Sequence, residues 1–286
     1  MNAISALEPF LRGAAFLGVL ALMASAEAFW PKRPRLLARR IRWFTNLSLM
    51  GTGTLLARLM AAAPVPLAAT AAAAFAEARG FGILHWLDLP IWLDLAATLL
   101  VLDFAVWVQH WAFHKSDTLW RLHKVHHADR EIDATTALRF HPFEIGLSVL
   151  IKSGVVLLLG APIAAVVLFE VLLNACATFN HANTSLPPRL ERLVRLFIVT
   201  PDLHRIHHSV RREEQDSNFG FCLSLWDRVF GLLRPRSLDG DLAMTIGLAE
   251  HQDEQPARLS WSLALPFQWR HVRVRAQASP WPARND

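Results

Sequence analysis

Eight histidines fall in three short groups with metal-ligand spacing. They are His110 and His114 in HWAFH, His123, His126 and His127 in HKVHH, and His204, His207 and His208 in HRIHH. On a helix, residues three and four apart share a face, so each HxxHH presents three imidazoles toward one point and the HxxxH presents two. With 13 histidines in 286 residues, chance supplies an HxxHH roughly 0.03 times, and this chain has two. Isolated histidines such as His85, His251 and His271 are expected to be ordinary hydrogen-bonded residues. The eight grouped rings, with His181, exceed what one ion can use, so two metal ions are expected.

The chain holds only two cysteines, Cys176 and Cys222, far apart and in no CxxC pattern. Neither a disulfide framework nor a thiolate site is expected, and the ligands must be nitrogen with some oxygen. Such shells suit iron, copper or zinc. No GxSxG nucleophile elbow is present. A two-iron site that activates O2 beneath a bilayer makes chemical sense, because removing hydrogen from an unactivated C–H bond is beyond acid–base side chains. The alternative chemistry is a zinc-dependent membrane lipid hydrolase using metal-activated water, separable by metal content and O2 dependence. A metal transport or sensing protein would instead have ligands strung along its membrane-spanning path.

The elements that must position these groups are apolar helices. Hydrophobic residues make up 53% of the chain, and long apolar runs precede the motifs. We therefore expect an all-α polytopic membrane helix bundle with a cytoplasmic histidine-rich helical cap. Five apolar segments are read, at about 10–30, 44–63, 91–111, 143–159 and 163–179, with the N-terminus outside. The first is read as a span rather than a signal peptide, because the strong positive charge lies after it. Lys32, Arg33, Arg35, Arg39, Arg40 and Arg42 mark the following loop as cytoplasmic. The formal charge of +5 is assigned to this pattern and to anionic lipid, not to nucleic acid.

Asp103 shares a helical face with His110 and His114 and is expected to support the metal site. Gly160-Ala161-Pro162 makes 143–180 a helical hairpin, in which Lys152 and Glu170 lie at equal depth and should pair. The stretch 189–199 reads as a helix along the membrane surface. The basic, tryptophan-containing tail with Trp261, Trp269, Arg270, Arg273 and Arg275 reads as cover for the site. Three parts are thus expected: N-terminal helices and an interfacial segment (1–90), a catalytic domain (91–233) and a cytoplasmic C-terminal tail (234–286).

HWAFH, HKVHH, ATTALRFHPFE, FNHANTSLP and TPDLHRIHHS followed by DSNFGFCLSLWDRVFG resemble the fatty acid hydroxylase/sterol desaturase superfamily, more closely its alkylglycerol monooxygenase-like branch. The resemblance covers roughly 90–233. It implies a membrane di-iron oxidoreductase that uses O2 to hydroxylate or desaturate a sterol, fatty acyl or ether lipid. It also implies two iron ions, replaceable by zinc on purification, and a separate electron-donor protein of ferredoxin or cytochrome type. By position it makes ligands of His110, His114, His123, His126, His127, His204, His207 and His208. His181 matches the family's additional ligand after the hairpin, and His141 is a less certain ligand. Asn180 and Asn183 flank His181 and could orient ligands or a metal-bound water, whereas Asp202, Asn218 and Asp227 read as structural or as supports of the ligands. The arginine- and alanine-rich composition fits a bacterial inner membrane with the histidine site cytoplasmic.

Overall fold

A computed structural model describes residues 3–268 except 36, 64 and 88. Among these residues the regular structure is helical, with isolated β-bridges at Ile198–Leu223 and Ser209–Ile246. The helices are α1 (Ala3–Phe29), α2 (Arg39–Ala61), α3 (Ala69–Arg79), α4 (Ile83–Leu87), α5 (Ile91–Lys115), α6 (Asp117–His127), α7 (Pro142–Leu159), α8 (Ile163–Asn180), α9 (Pro188–Val194), α10 (Pro201–His207), α11 (Arg212–Gln215), α12 (Leu225–Val229) and α13 (Leu259–Ala264).

Local chemistry sets their limits. α5 runs through 25 residues without glycine or proline, starting after Pro90 and ending at Ser116, whose hydroxyl accepts the Leu119 amide and caps α6. Proline at the first position opens α7, α9 and α10, where its missing N–H costs nothing. The α7–α8 hairpin turns at Gly160 in the left-handed region (φ 71°). There Gly82 (φ 114°) packs so closely that a Cβ on it would lie 2.3 Å from the Gly160 nitrogen. Two backbones therefore meet at the hairpin tip, and both need glycine.

Among the described residues, four helices are long and apolar enough to cross a membrane: Phe10–Phe29, α5, α7 and α8. The second expected segment forms a 23-residue helix but not a comparably apolar one, because α2 carries Arg42, Thr45 and Asn46 on its buried face. α2 crosses the base of α7, with Gly53 against Ile145 and Leu56 against Gly146. The chain then passes Leu67, whose carbonyl accepts the Ser153 hydroxyl, and α3 completes the route to the tip. The alanine-rich stretch is thus a separate helix. Its small side chains Ala69, Ala72 and Ala73 pack into the main core with Leu102, Val156, Val166 and Phe169.

Lys152 Nζ lies 2.5 Å from Glu170 Oε1, as the equal-depth argument requires. Arg12 of α1 also bonds Glu170, which makes the pair a triad linking three helices. Glu170→Gln removes a partner from both cations, whereas Lys152→Met removes one. Glu170→Gln should therefore cost about 2 kcal/mol and exceed the cost of Lys152→Met, as read from thermal melts in detergent.

The arginines read as a positive-inside signal are mostly fastened into the structure. Arg33 donates to the carbonyls of Asp241 and Met244, Arg35 to that of Glu27, and Arg39 to the Glu27 carboxylate. Arg42 is fully buried and grips Asp129 with two 2.8 Å bonds and Asp133 with a third of 2.7 Å. Burial alone would raise the Asp129 carboxyl, but the Arg42 guanidinium outweighs it and holds the group below the usual carboxylate range. Glu27 is fully buried too, and its Oε1 accepts the amides of Ala134 (2.7 Å) and Asn183 (2.9 Å). One N-terminal helix thereby ties down the loops after HKVHH and after α8.

Candidate metal centre

The last two turns of α5 carry His110 and His114, α6 carries His123, His126 and His127, His181 caps α8, and α10 with its C-cap carries His204, His207 and His208. All nine rings are buried and form two adjacent sets. His110, His114, His123, His127 and His207 make a set of five, and His126, His181, His204 and His208 a set of four; within each, one nitrogen per ring lies within 4.8 Å of the others. Each HxxHH is split between the sets, which touch where His127 stacks on His208 at 4.5 Å between ring centres.

Four rings are fixed through Nδ1. His110, His181 and His207 each lie 2.7 Å from a carbonyl oxygen, of Phe219, Ala177 and Ser217 respectively. A carbonyl only accepts, so Nδ1 carries the proton and Nε2 is left with a free lone pair. The fourth, His123, has Nδ1 2.6 Å from Glu144 Oε1. The Nε2 atoms of His110, His123 and His207 are buried without a hydrogen-bond partner, as are both nitrogens of His114, His127 and His208, although His114 Nδ1 lies 3.7 Å from Asp216 Oδ1.

In the set of four, the Nε2 atoms of His126 and His204 both lie 3.1 Å from His181 Nε2. That lone pair can accept one hydrogen bond, not two, so the convergence fits a shared cation better than a network of imidazoles. Burial pushes His123 down to about 3 and His181 to about 4, and with the neighbouring rings it drives His126, His127, His204, His207 and His208 well below their ordinary range. The rings are therefore neutral, the form that ligates metal.

Residues 95–232 match the fatty acid hydroxylase family. The chain carries a fatty acid hydroxylase domain. The match lies within the 90–233 expected from the motifs, and relatives support the superfamily and its alkylglycerol monooxygenase-like branch. An ornithine lipid hydroxylase of Rhizobium tropici is 27% identical over 158 residues, 54% of this chain and 47% of that protein. The alkylglycerol monooxygenase of Homo sapiens is 29% identical over 135 residues, 47% of this chain and 29% of that protein. A cholesterol 25-hydroxylase-like protein of Danio rerio is 30% identical over 173 residues, 53% of this chain and 64% of that protein. The chain thus spans about half or less of the first two relatives. No solved structure matches it.

Within the hydroxylase domain, the remaining expected site residues lie elsewhere. His141 belongs to neither set: its Nδ1 accepts the Phe143 amide and caps α7, and its Nε2 lies 3.3 Å from the Leu263 carbonyl oxygen. Asp103 accepts the Trp226 indole N–H at 2.8 Å, about two helical turns from His110, so it anchors α12. Asn180 donates to the Phe221 carbonyl, and Asn183 exchanges bonds with Arg33. Neither asparagine bonds a grouped histidine directly. His85 packs at the hairpin tip and His251 against Trp261, and His271 lies outside the described residues.

The partners of the supporting residues were not legible in the sequence. Asp227, read as structural or as a support of the ligands, accepts the Trp107 indole and the amides of Phe219 and Gly220, which fixes the carbonyl that orients His110. Glu144 was visible in HPFE, but nothing in the sequence aimed it at His123. Replacing Glu144 with glutamine should weaken metal retention in the five-histidine set about 10–100-fold, measured as the rate of metal loss to a chelator. The tail also reaches the site, where the Gly247 amide donates to the His208 carbonyl. Trp269, Arg270, Arg273 and Arg275 lie outside the described residues.

Proposed function

We propose that the chain is a membrane-bound di-iron oxidoreductase that hydroxylates a C–H bond of a lipid, using O2 and electrons from a separate ferredoxin- or cytochrome-type protein. The carrying observation is the pair of buried all-imidazole sets, five and four rings, with unpartnered nitrogens converging in each. The five would hold one ion and the four the other. Iron bound there supplies O2 activation and hydrogen abstraction, which no side chain in the pocket provides.

The chain's own residues supply orientation. The Phe219, Ser217 and Ala177 carbonyls and Glu144 each fix one ring, and the Arg42 network pins the segment after His127. Phe140 stacks on His126 at 4.4 Å and Phe219 packs edge-on to His114 at 5.1 Å, lining the rings with apolar surface that keeps water off. The matched relatives are named as an ornithine lipid hydroxylase, an alkylglycerol monooxygenase and a cholesterol 25-hydroxylase-like protein, which favours hydroxylation over desaturation and a lipid as substrate. The catalytic unit is assigned to 91–233, with 234–286 as its cover and the histidine face on the cytoplasmic side of a bacterial inner membrane.

The test is metal content by mass spectrometry on detergent-purified protein, with a screen for oxidised lipid under O2. Two irons per chain and O2-dependent product are expected. Two zincs that iron cannot replace would establish the hydrolase instead, and well-folded protein without metal would remove the reading.

A further inference from the structure

The position of α12 against α5 fixes the level of part of the cap along that helix. Trp226 is bonded to Asp103, Phe104 packs on Trp226 at 4.8 Å, and Trp107 stacks on Phe230 at 4.7 Å. The backbone between α9 and α10 joins the same level, with the Val199 amide on the Cys222 carbonyl. α5 begins at Ile91, beside the exposed Trp86 and Trp92, and tryptophans of this kind mark a membrane interface. Asp103 is twelve residues further on, about 18 Å at 1.5 Å per residue. The hydrocarbon layer is about 30 Å thick. A segment fixed at Asp103 is therefore about 10 Å short of the far surface.

The chain presents a matching face at that level. Phe197 and Val229 are each 64% exposed and Phe230 51%, and Leu193, Leu196 and Leu225 are exposed beside them. This face continues the outward side of α5, where Leu100, Val101 and Val108 are exposed. Its exposed charges are basic, Arg189, Arg192 and Arg228, whereas its acids, Glu191 and Asp227, are buried and bonded inside. Long arginine side chains can lie along apolar surface and reach headgroup phosphates.

We propose that the face formed by Leu193, Leu196, Phe197, Leu225, Val229 and Phe230 is embedded in the site-side leaflet, covered by the acyl chains of anionic lipid. The proposal rests on reading α5 as a span. It also gives the substrate a direction of approach. Phe221, one residue before Cys222, lies 4.9 Å from His110 of one set and 5.8 Å from His204 of the other, so a lipid chain on this face ends beside both.

The unmodified full-length protein tests it, in phosphatidylglycerol nanodiscs doped with a phosphatidylcholine that carries a diazirine on its acyl chain. After photolysis, peptides containing 193–198 and 225–230 should be labelled as heavily as those from the exposed side of α5, and about tenfold above the exposed polar loop 250–254. Labelling at the loop's level with α5 labelled overturns the proposal alone. Low labelling accompanied by chain-to-chain crosslinks at the same peptides assigns the face to a second copy and also overturns it. If α5 is unlabelled as well, the membrane reading itself falls.

Discussion

His207→Ala and His126→Ala are each expected to abolish O2-dependent lipid oxidation, a loss of more than about 100-fold, since removing a ligand exceeds the 10–100-fold typical of its hydrogen-bond partner. The two variants strike different sets, because His207 is one of the five rings and His126 one of the four. Each should therefore lose mainly its own ion and retain about one iron per chain. His251→Ala, which alters a ring packed on Trp261 away from both sets, should keep both irons and full activity. Loss of both ions from either ligand variant would show that the sets are held jointly. Two retained irons in either would remove that histidine from the ligand assignment.

Arg42→Met is expected to be the most damaging substitution outside the histidines. The side chain is one of the largest fully buried ones among the described residues and satisfies the carboxylates of Asp129 and Asp133 while donating to the Glu131 carbonyl. Removing it leaves two buried carboxylates without their counter-charge, which costs about 3–5 kcal/mol. The sign of the pH dependence follows. The folded-state pKa of Asp129 is depressed, so its contribution is present above the ordinary carboxylate pKa and is lost as pH falls through the depressed value. Without Arg42, burial instead favours the protonated acid. The difference in melting temperature between wild type and variant should thus be large at neutral pH and shrink toward pH 4. A difference that stayed constant would mean that Arg42 acts by packing alone.

The histidine spacing was legible because a helix converts i, i+3, i+4 into one face, and all nine rings expected from the boxes and His181 are brought together. What spacing could not show is the division of each HxxHH between two sets, which depends on how α5, α6, α8 and α10 cross. The hairpin was readable from Gly160-Ala161-Pro162, and so was the Lys152–Glu170 pair, since both follow from residue counts along two helices. Arg12 joins that pair from a helix 158 positions away, a distance no local pattern records. Asp103 illustrates the opposite error. Its position seven before His110 was sound helical arithmetic, but a shared face seven residues long is about 10 Å of helix, and the carboxylate found Trp226 instead. Arg42 was hidden among neighbours of the same charge, whose composition was read as topology although most of them are internal fasteners.

The bonds from Glu27 also bear on how the protein is made. Its carboxylate belongs to α1, yet its set of donors is completed only by Asn183, 156 residues later. At ordinary elongation rates that interval is on the order of 10 s, and until Ala134 is made a carboxylate destined for complete burial has Arg39 of the nearby chain to meet it. The loop after α8 can lock onto Glu27 only once Asn183 has been made, so His181 beside it takes its final position late in synthesis.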